Sequence, residues 1–224
     1  MPLKIAILAS GSGTNAQAMI DKAAAGLLDV DIRLVCSNRP GAGVLERAAR
    51  AGLPHLALDH KSFADRASYD ARLAEVLLEH GADYVVLAGY MRLVTAAFLE
   101  AFAGRVVNIH PALLPSFPGV HGGADAQAYG VKLSGCTVHF VEEQMDSGPV
   151  IIQAAVPANA GEDLDALMNR IHAMEHRIYP QALQWLAEGR ISIQGRQVHL
   201  APSTRPAITP DGPWLVWPPL EQGF

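Results

Sequence analysis

The chain has 224 residues, half of them hydrophobic, with 17 Lys and Arg against 22 Asp and Glu and a net charge of −5. A chain of this length buries roughly 70–75% of its unfolded surface, so one core can form without disulfides or structural metals. The acidic balance argues against a nucleic-acid partner. No run reaches the roughly 18 apolar residues of a membrane span, and the short N-terminal apolar stretch enters a glycine-rich segment directly, so we expect a cytoplasmic protein without a membrane partner.

Short apolar runs alternate with Ala-rich stretches at helical spacing along the first half of the chain. The runs predict strands at residues 5–8, 32–36, 56–58, 84–87 and 106–109. The stretches between them predict helices near residues 16–25, 42–51 and 69–80. This alternation is typical of βαβ units, so we predict a Rossmann-like α/β fold with a mostly parallel, twisted sheet and helices on both faces.

The pattern changes after Pro111, where a loop rich in Pro and Gly spans residues 111–123. Two β-rich runs at 136–141 and 150–156 predict final antiparallel strands. Apolar side chains at three- and four-residue spacing then predict a long helix, and they are Leu164, Leu167, Ile171, Met174 and Ile178. We expect this helix to begin near Asp163 and to kink or end at Pro180.

The C-terminal residues 201–224 hold six of the fifteen prolines. Proline suits neither a helix interior nor a central strand, so we predict an extended tail. Its Trp214 and Trp217 could pack on the body of the protein or on a partner. Cys36 and Cys136 stand in apolar surroundings without CxxC spacing, which predicts two small buried side chains rather than a redox or zinc pair.

A glycine-rich segment joins the first predicted strand to the first predicted helix, and its residues are Gly11, Ser12, Gly13, Thr14 and Asn15. Glycine lets the backbone approach a ligand, and N–H groups at a helix N-terminus bind anions, so this position predicts a phosphate site. The P-loop pattern is absent, which argues against an NTPase. The dinucleotide pattern fits poorly because Ala16 stands at its third glycine, although Arg39 leaves an NADP site open. The alternative is a tight turn in which Ser12, Thr14 or Asn15 caps the helix.

Two polar residues stand at the end of the strand predicted near residue 106. Side chains alternate along a strand, so Asn108 and His110 project from one face, and Pro111 favours an end of the strand there. Open α/β sheets place their sites at this edge. Asp146, in an Asp-Ser-Gly-Pro sequence, supplies a carboxylate. Taken singly, each of the three residues is more typical of a structural role, and these roles are a strand-end cap, a satisfied core histidine and a turn residue.

A possible metal motif lies in the long predicted helix. His172, Glu175 and His176 match the H-x-x-E-H pattern of some zinc metallopeptidases, and the two histidines share a helix face. A catalytic zinc would need a third protein ligand and an open position. Because the pattern is short and the chain has nine histidines, we expect no metal.

In their order along the chain, the motifs resemble those of the folate-dependent formyltransferases. They are Gly11-Ser-Gly-Thr-Asn15, Ser37-Asn-Arg39, Gly89-Tyr-Met-Arg92, Asn108-Ile-His-Pro-Ala-Leu-Leu-Pro115, and the stretch from Gly135 to Asp146-Ser-Gly-Pro149. The likeness extends to about residue 195 and is greatest to the members that formylate glycinamide ribonucleotide. The loop at 121–129 departs from the His- and Arg-bearing bacterial versions, so its role stays open.

The resemblance implies a formyltransferase domain at residues 1–200, with a nucleotide-binding half at about 1–100 and a folate and catalytic half at about 101–200. It implies transfer of a formyl group from 10-formyltetrahydrofolate to the amine of glycinamide ribonucleotide in purine biosynthesis, by a monomer or homodimer without metal. Asn108 and His110 would stabilise a tetrahedral intermediate. Asp146 would favour the charged form of His110 or act through a water.

The resemblance also assigns the substrate contacts. The residues for the ribonucleotide would be Gly11, Ser12, Gly13, Thr14, Asn15 and Glu175. The residues for the folate would be Arg66, Met91, Arg92, Leu93, Val94, Asn108, Glu142, Glu143, Gln144, Met145 and Asp146. Three alternatives stay open. The first is another enzyme that uses 10-formyltetrahydrofolate, either a hydrolase or a sugar or tRNA formyltransferase. The others are an NADP-binding oxidoreductase and a non-catalytic phosphate-binding module.

Overall fold

The computed structural model describes residues 1–224, which divide into two compact units. Unit 1 comprises residues 1–108 and 141–143, and unit 2 comprises residues 109–140 and 144–224. The chain passes from unit 1 to unit 2 within one strand, β5 (Val106–His110).

Unit 1 is a parallel sheet whose strands alternate with helices. Its elements are β1 (Leu3–Leu8), α1 (Thr14–Ala24), β2 (Val30–Ser37), α2 (Gly43–Arg50), β3 (His55–Ala57), a 3₁₀ turn (His60–Ser62), α3 (Arg66–Glu79), β4 (Tyr84–Leu87), α4 (Ala96–Ala101) and the start of β5. The strands lie in the order β5-β4-β1-β2-β3, and each neighbouring pair is parallel. Continuous apolar runs form such strands because both faces of a parallel sheet are covered, and residues 5–8 of β1 are fully buried. The predicted α/β fold is confirmed.

Helix α3 shows how unit 1 forms its core. Asp65 accepts the N–H of Ser68 at 2.8 Å, and the Ser68 hydroxyl lies 3.4 Å from the N–H of Asp65. This capping box starts the helix at Arg66, three residues before the predicted start. Tyr69, Leu73 and Leu77 then lie one turn apart and are buried among apolar side chains of β1, β2, β4 and α4.

Unit 2 combines antiparallel strands with one long helix. Its elements are the end of β5, α5 (Gly122–Tyr129), β6 (Leu133–Phe140), β7 (Val150–Pro157), α6 (Leu164–Ala187), β8 (Ile191–Gln194), β9 (Gln197–Leu200), β10 (Ala207–Ile208), β11 (Leu215–Trp217) and β12 (Leu220–Glu221). Strand β7 pairs antiparallel with β6 on one side and with β11 on the other. Helix α6 packs against β6 and β7 through the predicted stripe, in which Leu167, Ile171, Met174 and Ile178 are buried.

One prediction in unit 2 is wrong. Residues 122–129, predicted as part of a loop, form helix α5. Its two leading glycines suggested a loop, but both are buried against other elements where a side chain would not fit. Helix α6 begins after its N-cap Asp163 as predicted and continues to Ala187, so Pro180 lies inside the helix and does not end it. No helix in the protein combines the length and apolar character needed to cross a bilayer.

The proline-rich tail is extended and attached to unit 2. Its strand β11 pairs with the edge of β7, and β10 pairs with β12. At the very end, Leu220 and Phe224 are buried, and Glu221 accepts from Arg190 at 2.8 Å. Trp214 is half-buried, whereas Trp217 remains 72% exposed, so Trp217 contributes little to holding the tail.

Candidate active site

The end of β5 carries the polar pair that the sequence predicts. Asn108 and His110 are two residues apart on this strand, so their side chains project from the same face. Asn108 is half-buried, whereas His110 is only 3% exposed. A polar ring buried to this extent needs partners for its nitrogens, because an unsatisfied buried donor or acceptor costs free energy.

Both ring nitrogens of His110 face oxygen atoms. Nε2 lies 2.8 Å from the carbonyl oxygen of Phe117, and Nδ1 lies 3.5 Å from Oδ2 of Asp146. A carbonyl oxygen only accepts, so Nε2 carries a proton and donates it to Phe117. The imidazolium form satisfies both oxygens at once, since it carries a second proton on Nδ1. Both ring nitrogens of His110 therefore lie beside oxygen atoms that can accept a hydrogen bond.

Asp146 is held more firmly than an ordinary turn residue. Its backbone is left-handed, with φ 52°, a conformation that costs free energy in any residue other than glycine. Its Oδ2 accepts the N–H of Gly119 at 2.7 Å, and its side chain is only 10% exposed. The carboxylate is thereby fixed in position beside His110.

A second histidine, for which the sequence predicts no role, also faces Asp146. His139 on β6 is 2% exposed, and its Nε2 lies 3.7 Å from Oδ1 of Asp146. Its Nδ1 lies 2.8 Å from the carbonyl oxygen of Phe140 and donates to it. Burial lowers the pKa of His139, although the contacts with Phe140 and Asp146 oppose this effect. The sequence signal was a histidine in the β-rich run of residues 136–141.

Helix α5 begins against the contact between His110 and Phe117. A Cβ atom on Gly122 would lie 2.7 Å from Nε2 of His110 and 2.9 Å from the carbonyl oxygen of Phe117. Phe117 itself has a left-handed backbone, with φ 53°. Helix α5, which lies in the segment 121–129 whose role the sequence left open, therefore packs directly on His110. Only glycine fits at the first position of this helix.

In unit 1, the glycine-rich segment links β1 to α1 as predicted. The N-cap residue of α1 is Gly13, with φ 75°, and no side chain forms a cap hydrogen bond there. The interpretation in which Ser12, Thr14 or Asn15 occupies the cap position is therefore wrong. Helix N-terminal N–H groups without a side-chain cap are the arrangement that binds anions.

Ser10 connects this segment to the residues predicted to contact the folate. Its hydroxyl donates to Oδ1 of Asn38 at 2.6 Å and accepts the N–H of Met91 at 2.9 Å. Met91 and Leu93 are about half exposed, while Arg92 stacks over the ring of Tyr69 at 4.7 Å. Three strand ends of unit 1 thus share one buried hydroxyl, a connection that sequence spacing does not reveal.

The remaining predicted residues lie at separate places. Arg66 is exposed in the first turn of α3, and Val94 is half-buried beside the core of unit 1. The residues that precede Asp146 are all exposed, and they are Glu142, Glu143, Gln144 and Met145. Glu175 is 4% exposed on α6.

The possible metal motif of α6 is not completed by further ligands. His172 and His176 stack with ring centroids 6.5 Å apart, and no group of His, Cys, Asp and Glu side chains is arranged to hold a metal ion.

Comparison with known proteins identifies the family. The Formyl transferase family matches residues 3–183. The chain belongs to this family. Among the curated relatives of this chain is the phosphoribosylglycinamide formyltransferase of Escherichia coli (strain K12), which is 41% identical over 191 residues, or 85% of this chain and 90% of the relative. The trifunctional purine biosynthetic protein adenosine-3 of Drosophila melanogaster is 47% identical over 188 residues, or 83% of this chain.

The chain spans only 14% to 19% of the length of several of its relatives, all trifunctional proteins. Among solved structures, it resembles glycinamide ribonucleotide transformylase 1 from Symbiobacterium toebii, with a TM-score of 0.87, 49% identity, and coverage of 89% of this chain and 94% of the other. It also resembles a formyltetrahydrofolate deformylase from Pseudomonas syringae, with a TM-score of 0.82, 26% identity, and coverage of 89% and 66%.

Proposed function

We propose that this protein transfers the formyl group of 10-formyltetrahydrofolate to the amine of glycinamide ribonucleotide, a step of purine biosynthesis. The observation that carries the proposal is the position of His110, which shares a strand face with Asn108 and lies between the carbonyl of Phe117 and the carboxylate of Asp146. The similarity to enzymes named for this reaction supports the choice of substrates.

The chemistry requires a stabilised oxygen and a mobile proton. When the amine attacks the formyl carbon, the carbonyl oxygen becomes negative, and the leaving nitrogen of the folate must gain a proton as the amine loses one. The amide of Asn108 and protonated His110 would donate hydrogen bonds to this oxygen. Donors placed where negative charge develops lower the barrier of the reaction. Asp146 would stabilise the charged imidazole and thereby favour proton transfer at this position.

We assign the substrate contacts as follows. The N–H groups of the segment Gly11, Ser12, Gly13, Thr14 and Asn15 would receive the phosphate, which fits a helix N-terminus without a side-chain cap. Glu175 would contact another part of the ribonucleotide. The folate would be bound by Arg66, by Met91, Arg92, Leu93 and Val94, by Asn108, and by Glu142, Glu143, Gln144, Met145 and Asp146. The half-exposed apolar side chains of Met91 and Leu93 suit a flat ring.

A second candidate is hydrolysis of 10-formyltetrahydrofolate, which the likeness to a formyltetrahydrofolate deformylase favours. The two reactions differ in the acceptor of the formyl group. A single assay separates them, in which tetrahydrofolate release from 10-formyltetrahydrofolate is followed with and without glycinamide ribonucleotide. We expect release only with the ribonucleotide, at one formylated product per tetrahydrofolate. Equal release without it would establish the hydrolase, and no release in either case would refute both.

A further inference from the structure

The glycine-rich segment of unit 1 rests on the first turn of α2. The N–H of Val44 donates to the carbonyl oxygen of Gly11 at 3.1 Å. Gly13 approaches the same residue so closely that a Cβ atom on it would lie 2.6 Å from Cβ of Val44. The backbone of residues 11–13 is therefore held in position by contacts with α2, as well as by its direct connection to α1.

Arg47, one turn further along α2, contacts the same segment. Its Nε donates to the carbonyl oxygen of Ser12 at 2.7 Å, and its Nη1 donates to Oε1 of Gln17 at 3.2 Å. Gln17 in turn donates to Oδ1 of Asp21 at 2.7 Å. One guanidinium thus joins the glycine-rich segment to helix α1, and its planar shape allows it to hold both partners at once.

These contacts fix the direction of two peptide groups. In a trans peptide the C=O and the following N–H point in opposite directions. The carbonyl oxygens of Gly11 and Ser12 are bound by Val44 and Arg47, so the N–H groups of Ser12 and Gly13 point away from α2. Neither of these two N–H groups donates a hydrogen bond within the chain. They are available to an anion.

We propose that Arg47 is a positioning residue for the phosphate of the ribonucleotide, an inference that rests on the proposed function. It acts through the Ser12 carbonyl rather than by touching the substrate. Glycine on both sides of Ser12 leaves this backbone intrinsically free to adopt other conformations. Without Arg47 the Ser12–Gly13 peptide can rotate, and the two N–H groups no longer point together at the phosphate. Binding of the phosphate weakens, whereas the groups of β5 that act on the formyl carbon are unchanged.

Steady-state kinetics of Arg47→Ala tests this inference. We expect the KM for glycinamide ribonucleotide to rise about tenfold or more, since a hydrogen bond to a charged group and the order it imposes are lost. The kcat and the KM for 10-formyltetrahydrofolate should stay at their wild-type values, because binding energy rather than transition-state stabilisation is removed. Arg47→Lys, which keeps the charge and one donor, should recover part of the loss.

Arg50→Ala is the matched control. Arg50 lies on the same helix, is exposed, and pairs only with Glu46, with Nη2 and Oε2 4.0 Å apart. It should leave all three constants unchanged. The inference would be overturned if Arg47→Ala kept the wild-type KM or lost only kcat. It would equally be overturned if Arg50→Ala raised KM as much, or if Arg47→Lys recovered none of the loss.

A binding experiment separates this inference from the proposed function. The dissociation constant of inorganic phosphate is measured by titration calorimetry for wild type, Arg47→Ala and Arg50→Ala. Weaker phosphate binding by Arg47→Ala alone would support the positioning role even if the wild-type protein formylated no ribonucleotide. Equal phosphate binding by all three proteins would overturn it, even in a fully active formyltransferase.

Discussion

Asp146 is the residue on which the proposed chemistry depends most. It is the one carboxylate in contact with His110, and it also faces His139 and accepts the N–H of Gly119. Its left-handed backbone is a conformational cost that these contacts offset. These contacts hold the carboxylate beside His110, where the proposed proton transfer requires it.

Replacing Asp146 with Asn should lower kcat by about 10²- to 10⁴-fold, the range of a general acid–base contribution. The amide keeps the size of the side chain but removes the negative charge that lies 3.5 Å from Nδ1 of His110. Turnover at saturating substrates measures the effect. Asp125→Asn is the control, because Asp125 is exposed on α5. Near-wild-type turnover in Asp146→Asn would contradict the proposed role of the carboxylate.

The burial of His139 leads to a different prediction, which concerns how the free energy of unfolding depends on pH. Burial lowers its pKa in the folded protein, whereas the unfolded chain keeps the ordinary value of about 6.5. As pH falls below about 6.5 the unfolded state takes up this proton first, so the free energy of unfolding decreases until the lowered pKa is passed. The stabilising contribution is complete above about pH 6.5.

Denaturant unfolding at a series of pH values checks this prediction. In His139→Gln, the decrease in the free energy of unfolding below about pH 6.5 should be smaller than in wild type. His55→Gln serves as control, because His55 is exposed and its replacement should leave the pH dependence as it is. Identical curves for wild type and His139→Gln would show that burial of this ring does not govern the acid stability.

At the scale of elements, helix α5 determines the environment of His110. The first position of α5 has no room for a side chain, because a Cβ atom would press on both His110 and Phe117. The helix therefore sets how closely the backbone can approach the imidazole. Glycine has a low helix propensity, yet here close packing outweighs that preference.

Gly122→Ala should displace the His110 ring from Phe117 and lower kcat about tenfold to a hundredfold, as expected for a shift near a reacting group. Overpacking should also reduce stability by about 1–3 kcal/mol. Enzyme kinetics and chemical denaturation measure the two effects. Gly41→Ala, which meets no atom within 4 Å, should change neither. A fully active Gly122→Ala enzyme would indicate that the ring tolerates movement.

At the scale of the whole molecule, the C-terminal tail adds stability to unit 2. It buries Val216, Leu220 and Phe224, and each such side chain contributes about 1.5–3 kcal/mol when removed from water. It also covers the edge of β7 with β11 and satisfies Arg190 with Glu221. Unit 2 thus owes part of its folded free energy to residues beyond the region that matches the family.

Deleting residues 201–224 should lower Tm by on the order of 10 °C, because several kcal/mol of burial are lost and each kcal/mol corresponds to about 2–4 °C in a chain of this size. Differential scanning calorimetry measures the change. Trp217→Ala tests the specificity, since this side chain is largely exposed and should shift Tm little. An unchanged Tm in the deletion variant would mean that the tail is held without stabilising the body.

The sequence by itself determined what depends on neighbours along the chain. Continuous apolar runs predicted the parallel strands, the three- and four-residue spacing predicted α6, and strand alternation placed Asn108 and His110 on one face. These patterns succeed because burial selects the residue type at each position of an element.

Only the tertiary structure decided what depends on contacts between distant residues. It brought His139 to Asp146, placed the helix that starts at Gly122 against His110, and attached the tail to β7. It also revealed Arg47 on the carbonyl of Ser12. Local sequence preferences predicted a loop at Gly122 and no role for His139. Close packing overrides such preferences, because the space and the partners at a buried position are set by other parts of the chain.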